Sequence, residues 1–176
     1  MPNLFSIENK IVLISGAGRG IGRHLAHSMA KHSAFVYCID KKFPKEVPKD
    51  VKKNMFNVKC DITNNRSFTK VCQNIFKTHK KIDVLVNNAA ILGPIGHIEK
   101  INWNEWVKTI QINLLGSVLL CRTVVPYFKK RNKGKIIQLS GGGAASPLPF
   151  ISSYAVSKAA IVRFIENLSE EVKKYL

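Results

Sequence analysis

Short apolar runs alternate with stretches of helical spacing along the chain, and that alternation predicts an α/β protein. Ile11 to Ile14 is a β-branched run stopped by glycine, the mark of a strand buried on both faces. Ile21, Leu25 and Met29 then recur at helical spacing up to Lys31, and Ala34 to Ile39 predicts a second strand. Asn57 to Cys60 predicts a third strand, followed by a helix over Asn64 to Lys80 with Phe68, Val71, Cys72 and Ile75 inward. Ile82 to Val86 predicts a fourth strand. The longest helical pattern, Ile101 to Arg131, places Trp103, Trp106, Ile110, Leu114, Val118, Cys121 and Val125 on one side. It is apolar on much of the other side as well, so it should be covered twice, by the sheet and by a partner subunit. Lys135 to Leu139 predicts a fifth strand and Ser152 to Tyr175 a last helix.

Strands and helices in this order make a three-layer, doubly wound parallel sheet of Rossmann-like type, with right-handed crossovers. At 176 residues the chain is expected to form a single domain over 1–176. Ligands of such sheets bind beyond the carboxyl ends of the strands, where Asp40, Asp61, Asn87 and Ser140 fall. Composition narrows the class further. The content, 45% apolar and 22% charged, is that of a soluble globule. Lys108, Gln111, Asn113 and Arg122 interrupt the longest helix, which argues against a membrane span, and Met1 to Lys10 carries no leader pattern. A cytoplasmic protein is expected. The net charge of +17 comes mostly from lysines on predicted loops and helix ends, without interleaved aromatics, which favours solvated loops over a nucleic-acid partner. Cys38, Cys60, Cys72 and Cys121 have no paired spacing and read as buried thiols. The histidines form no ligand pair with them, so no metal site is expected.

Candidate chemistry begins at the first turn. Gly16, Gly18, Gly20 and Gly22 lie between the first strand and the first helix, where they let backbone approach a ligand closely. The free N–H groups and positive dipole end of that helix would face a diphosphate. Asp40 closes the second strand, roughly 20 residues on, where an acid that bonds an adenosine ribose is expected. Its carboxylate should accept from the 2′-hydroxyl of NAD and repel a 2′-phosphate, so NAD is expected over NADP; Arg19, Lys41 and Lys42 stand against that choice. Near the other end, Tyr154 and Lys158 are one helical turn apart on a common face. A fixed ammonium favours the ionised form of a neighbouring phenol, which suits the pair to proton transfer.

Taken together, Ser15-Gly16-x-x-x-Gly20-x-Gly22, Asp61, Asn87-Asn88-Ala89, Asn113, Ser140 and Tyr154-x-x-x-Lys158 resemble the short-chain dehydrogenase/reductase family from Lys10 to Leu176. The resemblance implies an NAD(P)-dependent oxidoreductase moving a hydride between nicotinamide and an alcohol or carbonyl substrate. It implies that Tyr154 passes the proton, Lys158 binds the nicotinamide ribose and tunes Tyr154, a serine bonds the substrate oxygen, and Asn113 holds a relaying water. Gly16, Gly18, Arg19, Gly20, Ile21, Gly22, Asp40, Asp61, Ile62, Asn88 and Ala89 are the implied cofactor contacts, with Tyr154 and Lys158. Assembly through the long and last helices is likewise a family expectation.

Two departures stand out. Ala90 replaces the family's glycine after Asn87-Asn88-Ala89, and an ungapped match sets Gly141 at the serine position. Ser140 serves only if the loop shifts by one residue, with Ser146, Ser152 and Ser153 as stand-ins. The family continues past this point with a strand and a substrate-covering segment, so the chain is expected to be C-terminally incomplete, a fragment or truncated form. The alternatives are a dinucleotide-binding protein without catalysis and, on charge alone, a polyanion binder.

Overall fold

The computed structural model describes residues 6–175; the leader reading of Met1 to Phe5 falls outside them. Five strands, β1 (Ile11–Ser15), β2 (Phe35–Asp40), β3 (Met55–Lys59), β4 (Val84–Asn87) and β5 (Lys135–Gln138), form one sheet in the order β3-β2-β1-β4-β5. Every pairing is parallel. The order reverses between β1 and β4, so the crevice at that switch point opens beyond the carboxyl ends of these two strands.

Both faces of the sheet are covered. Helix α1 (Gly20–Lys31) packs on one face over Val12, Ile14, Val36, Cys38 and Val86. On the other, α2 (Asn65–His79) and the long helix cover Ile11, Leu13, Ile39 and Leu85. The last helix, α5 (Ser152–Val172), adds Phe164, Ile165 and Leu168 to that core. Strand β3 starts earlier than the run Asn57 to Cys60 predicts, since Met55, buried against the sheet, and Phe56 pair with Val36 and Tyr37 of β2.

Two inward faces differ from those predicted. In α1 the buried residues are Gly22, Ala26 and Ala30, whereas Ile21 is 66% exposed at the mouth of the crevice. Small residues face the sheet because the helix approaches it closely. The long helix runs as α3 (Trp103–Ile110), a π segment (Gln111–Gly116) and α4 (Ser117–Arg131). Its buried residues are Thr109, Asn113, Gly116, Ser117, Leu120, Cys121, Val124 and Phe128, so Cys121 is inward as predicted while the others lie beside the predicted stripe, and Trp103 is exposed. The inward positions are partly polar, which hides them from a hydrophobic count: Thr109 Oγ1 donates to the Glu105 carbonyl one turn back, Asn113 bonds Ile91 and Ser157, and the Ser117 carbonyl accepts from Asn87 Nδ2. By length and composition Trp103–Arg131 could cross a membrane, yet here it is the core helix of the sheet. All four cysteines are free and buried.

Asp83 fastens the base of the sheet. Its carboxylate accepts the Ile11 N–H at 2.9 Å and Arg131 Nη1 at 3.1 Å, and Lys81 Nζ stands 3.3 Å away. Burial raises its pKa, but these partners outweigh it and hold the carboxyl below the ordinary Asp value. With the folded value depressed, the stabilisation is full above about pH 4 and fades as pH falls through the folded value. Asp83→Asn should therefore melt well below the unsubstituted chain near neutral pH, and the gap should close on acidification to about pH 3. Melting curves at the two pH values check this; a constant gap refutes it.

Candidate active site

The glycine turn is shaped by contacts that leave no room for side chains. A Cβ on Gly22 would come within 2.4 Å of Asn88 Nδ2 and 2.5 Å of the Gly16 carbonyl. Gly16 has φ +68°, and a Cβ there would meet the Ala89 backbone at 2.7 Å. Asn88 holds the turn from below, its Nδ2 donating to the carbonyls of Ser15 at 2.9 Å and Gly16 at 3.0 Å. Ser15 Oγ in turn accepts the N–H groups of Asn88 and Ala89. The Asn87-Asn88-Ala89 segment thus braces the turn across the switch point.

Asp40 closes the turn from the far side. One carboxylate oxygen accepts the Gly18 N–H at 2.9 Å, the other the Lys41 N–H at 2.7 Å and the Lys42 N–H at 3.3 Å. Next to it, Lys41 Nζ lies 2.6 Å from Asp61 Oδ2, while Thr63 donates twice to Asp61 Oδ1. Burial raises the Asp61 carboxyl, but Lys41 and Thr63 bring it below its usual value. A crevice of about 480 Å³ opens between these groups. Gly16, Arg19, Gly20, Ile21, Asp40, Asp61, Ile62, Asn88 and Ala89 line it, together with Ile91, Lys108 and Ile112.

Helix α1 opens into this crevice without a cap. Its N-cap residue Arg19 makes no side-chain cap bond and its first turn has no acid, whereas Asn64 and Asn102 cap α2 and α3. Above the turn, Gly20 has φ +57° and nothing within 4 Å of where a Cβ would stand. The first turn of α1 is thus uncapped beside the crevice, an arrangement that suits a diphosphate.

Tyr154 and Lys158 stand on α5 and are not among the residues lining this crevice. Lys158 is buried, and its Nζ donates to the Leu139 carbonyl at 3.0 Å while lying 5.5 Å from the centre of the Tyr154 ring. Burial holds the lysine below its ordinary pKa. The Tyr154 hydroxyl occupies the space above Gly141: a Cβ there would be 2.5 Å from Oη. Ser140 is exposed and makes no side-chain hydrogen bond among the described residues, and its neighbour Gly141 lies against the phenol. Of the stand-ins, Ser152 Oγ accepts from Trp106 Nε1 at 3.0 Å, and Ser153 Oγ is buried without a partner.

Asn113 joins the two halves. In the π segment its Oδ1 accepts the Ile91 N–H and its Nδ2 donates to the Ile91 carbonyl, both at 2.9 Å, and to Ser157 Oγ at 3.0 Å. Ser157 Oγ donates onward to the Tyr154 carbonyl at 2.7 Å. Both amide donors are thereby used, which leaves one acceptor position on Oδ1 for a water. Ser157 is the member of this set that sequence reading missed; a serine within a helix gives no signal of its own until the Asn113 contact is seen.

Comparison with known proteins settles the family. Residues 10–176 match the model described as short chain dehydrogenase. The chain belongs to that family. Among relatives, it is 30% identical to the 11-beta-hydroxysteroid dehydrogenase-like 3 of Arabidopsis thaliana, covering 95% of this chain and 56% of that protein. It is also 30% identical to the 2,3-dihydro-2,3-dihydroxybenzoate dehydrogenase of Bacillus subtilis, over 98% of this chain and 68% of the other. Among solved structures, 3-ketoacyl-(acyl-carrier-protein) reductase from Brucella melitensis complexed with NADH superposes with a TM-score of 0.89 at 27% identity, over 96% of this chain and 73% of that one. The chain thus spans between about half and three quarters of the length of these family members.

Proposed function

We propose that the chain is the dinucleotide-binding part of an NAD-dependent oxidoreductase acting on an alcohol or carbonyl, with Tyr154 as the proton-transfer group. The observation that carries it is the Tyr154–Lys158 pair, lodged at the same carboxyl end of the sheet as the crevice and tied to its Ile91 wall through Asn113 and Ser157. The NADH complex of the Brucella relative supports the cofactor class. Gly18 to Gly22 would hold the diphosphate, Asp40 the adenosine ribose, and Asp61, Ile62, Asn88 and Ala89 the walls of the adenosine slot. The bound nicotinamide supplies or accepts the hydride. Tyr154 Oη gives its proton to the substrate oxygen in reduction and takes it back in oxidation. Lys158, with donors to spare beyond Leu139, would bind the nicotinamide ribose and favour the ionised phenol.

Asp40 decides the cofactor. Its carboxylate keeps acceptor capacity for a ribose hydroxyl and repels a 2′-phosphate. Lys41, which could pair with that phosphate, already faces Asp61. NADH should therefore bind about tenfold more tightly than NADPH, and Asp40→Asn should narrow the ratio. Fluorescence titration with both cofactors tests this; tighter NADPH binding defeats the Asp40 argument. Gly141 beside the phenol favours a second reading, dinucleotide binding without turnover. Saturable NADH binding with no turnover over a panel of alcohols and ketones would establish it.

A further inference from the structure

The carbonyl of Leu139, directly after β5, is bonded by two side chains at once. Lys158 Nζ donates to it at 3.0 Å and Gln138 Nε2 at 3.1 Å, one for each lone pair of the oxygen. Among the described residues no other donor reaches it. The N–H side of Leu139 is fixed separately, by its own bond to the Asn87 carbonyl at 2.9 Å. Its carbonyl side belongs to the peptide that leads through exposed Ser140 into Gly141, Gly142 and Gly143, where the chain offers little to orient it. The seat of the buried ammonium is therefore oriented by Gln138.

Gln138 makes that bond at a cost to the fold. Its Oε1 is buried and has no partner among the described residues, while its Nε2 bonds Leu139 and reaches toward the Asn87 carbonyl at 3.5 Å. Turning the amide over would set Oε1 against two carbonyl oxygens and strand the NH₂ group, so the orientation shown is the one that bonds. A buried acceptor left unpaired destabilises a folded chain. An apolar side chain of similar length would remove that penalty without creating a new one: the Leu139 carbonyl would keep Lys158, and the Asn87 carbonyl would keep the Leu139 N–H. A polar side chain that works against stability points to a task.

We infer that Gln138 is a positioning residue for Lys158: its amide fixes the Leu139 carbonyl, and that carbonyl seats the ammonium beside Tyr154 with donors left for a ligand. Nζ lies 5.5 Å from the centre of the Tyr154 ring in this seat. Burial makes the seat matter, because an ammonium shut away from water depends on the acceptors fixed around it. The same burial holds the lysine below its ordinary pKa. The seating is a property of the fold, whereas its use by a nicotinamide ribose rests on the oxidoreductase reading above.

Gln138→Met tests this in the cofactor-free chain. Its melting temperature should equal or exceed that of the unsubstituted chain, because the orphaned oxygen and its amide leave together. Labelling of Lys158 by trinitrobenzenesulfonate, followed by peptide mass spectrometry, should quicken about fivefold, the equivalent of one lost hydrogen bond. A merely structural residue would not separate these readouts, since labelling would rise only as the fold weakened. The second arm titrates NADH into a double-mutant cycle. Gln138→Met should weaken NADH binding about fivefold in the unsubstituted chain and less than about twofold in the Lys158→Met background, since it acts through the lysine. Unchanged labelling, or a melting temperature that falls in step with faster labelling, overturns the inference. So does an equal loss of NADH affinity in both backgrounds. Faster labelling at unchanged stability, in a chain that does not bind NADH, upholds the seating and defeats the oxidoreductase reading.

Discussion

Tyr154→Phe is expected to lower turnover by about 10²- to 10⁴-fold, the range typical of a lost acid–base group, with NADH affinity unchanged within about twofold. The substitution removes one oxygen. The phenyl ring retains the place 5.5 Å from Lys158 Nζ, and the lysine keeps its bond to Leu139, so the α5 turn and the crevice wall stay as they are. What disappears is the hydroxyl over Gly141; Ser140 is exposed and Ser153 faces Gly93. Steady-state rates with a ketone and NADH, paired with an NADH titration, give the answer. Turnover kept within about threefold would remove Tyr154 from the chemistry altogether.

Gly18→Ala should be the most damaging change in the glycine turn. The new methyl would sit 2.1 Å from the Lys42 carbonyl and 2.9 Å from the Asp40 carboxyl carbon. Neither neighbour can yield without breaking the Gly18 N–H bond to Asp40, so overpacking and a lost charge-assisted hydrogen bond act together. A stability loss of about 2–4 kcal/mol and at least tenfold weaker NADH binding are expected. Gly20→Ala is the control. Its methyl enters open space, so only the positive φ is strained, at about 1–2 kcal/mol in the absence of cofactor. Melting temperatures of the two variants without cofactor should separate clearly; equal losses would mean that Asp40 does not clasp the turn.

The parts of this architecture that could be read from sequence are those where one residue type has one physical use. Glycines packed against Asn88 and Asp40, β-branched runs buried on both faces, and an acid ending β2 all announce themselves. The π segment did not. Thr109, Asn113 and Ser117 point inward although they are polar, Asn113 held by Ile91 and Ser157 and Thr109 by its own helix, and a hydrophobic count sends those positions outward. For the same reason Ser157 escaped notice, since its contacts are set by a partner 44 residues away. The loop after β5 is legible in its ambiguity: three consecutive glycines leave the register open, and in the structure Gly141 is the one that lies under the Tyr154 hydroxyl.

Asn113 carries a mechanical consequence. Its amide grips both backbone groups of Ile91 and, through Ser157, the carbonyl of Tyr154. The crevice wall at Ile91 and the turn of α5 that carries Tyr154 are thus joined through one side chain. Any tilt of α5 must drag Ile91 with it, so a molecule that wedges into either compartment changes the shape offered to the other, and the effect runs equally in both directions.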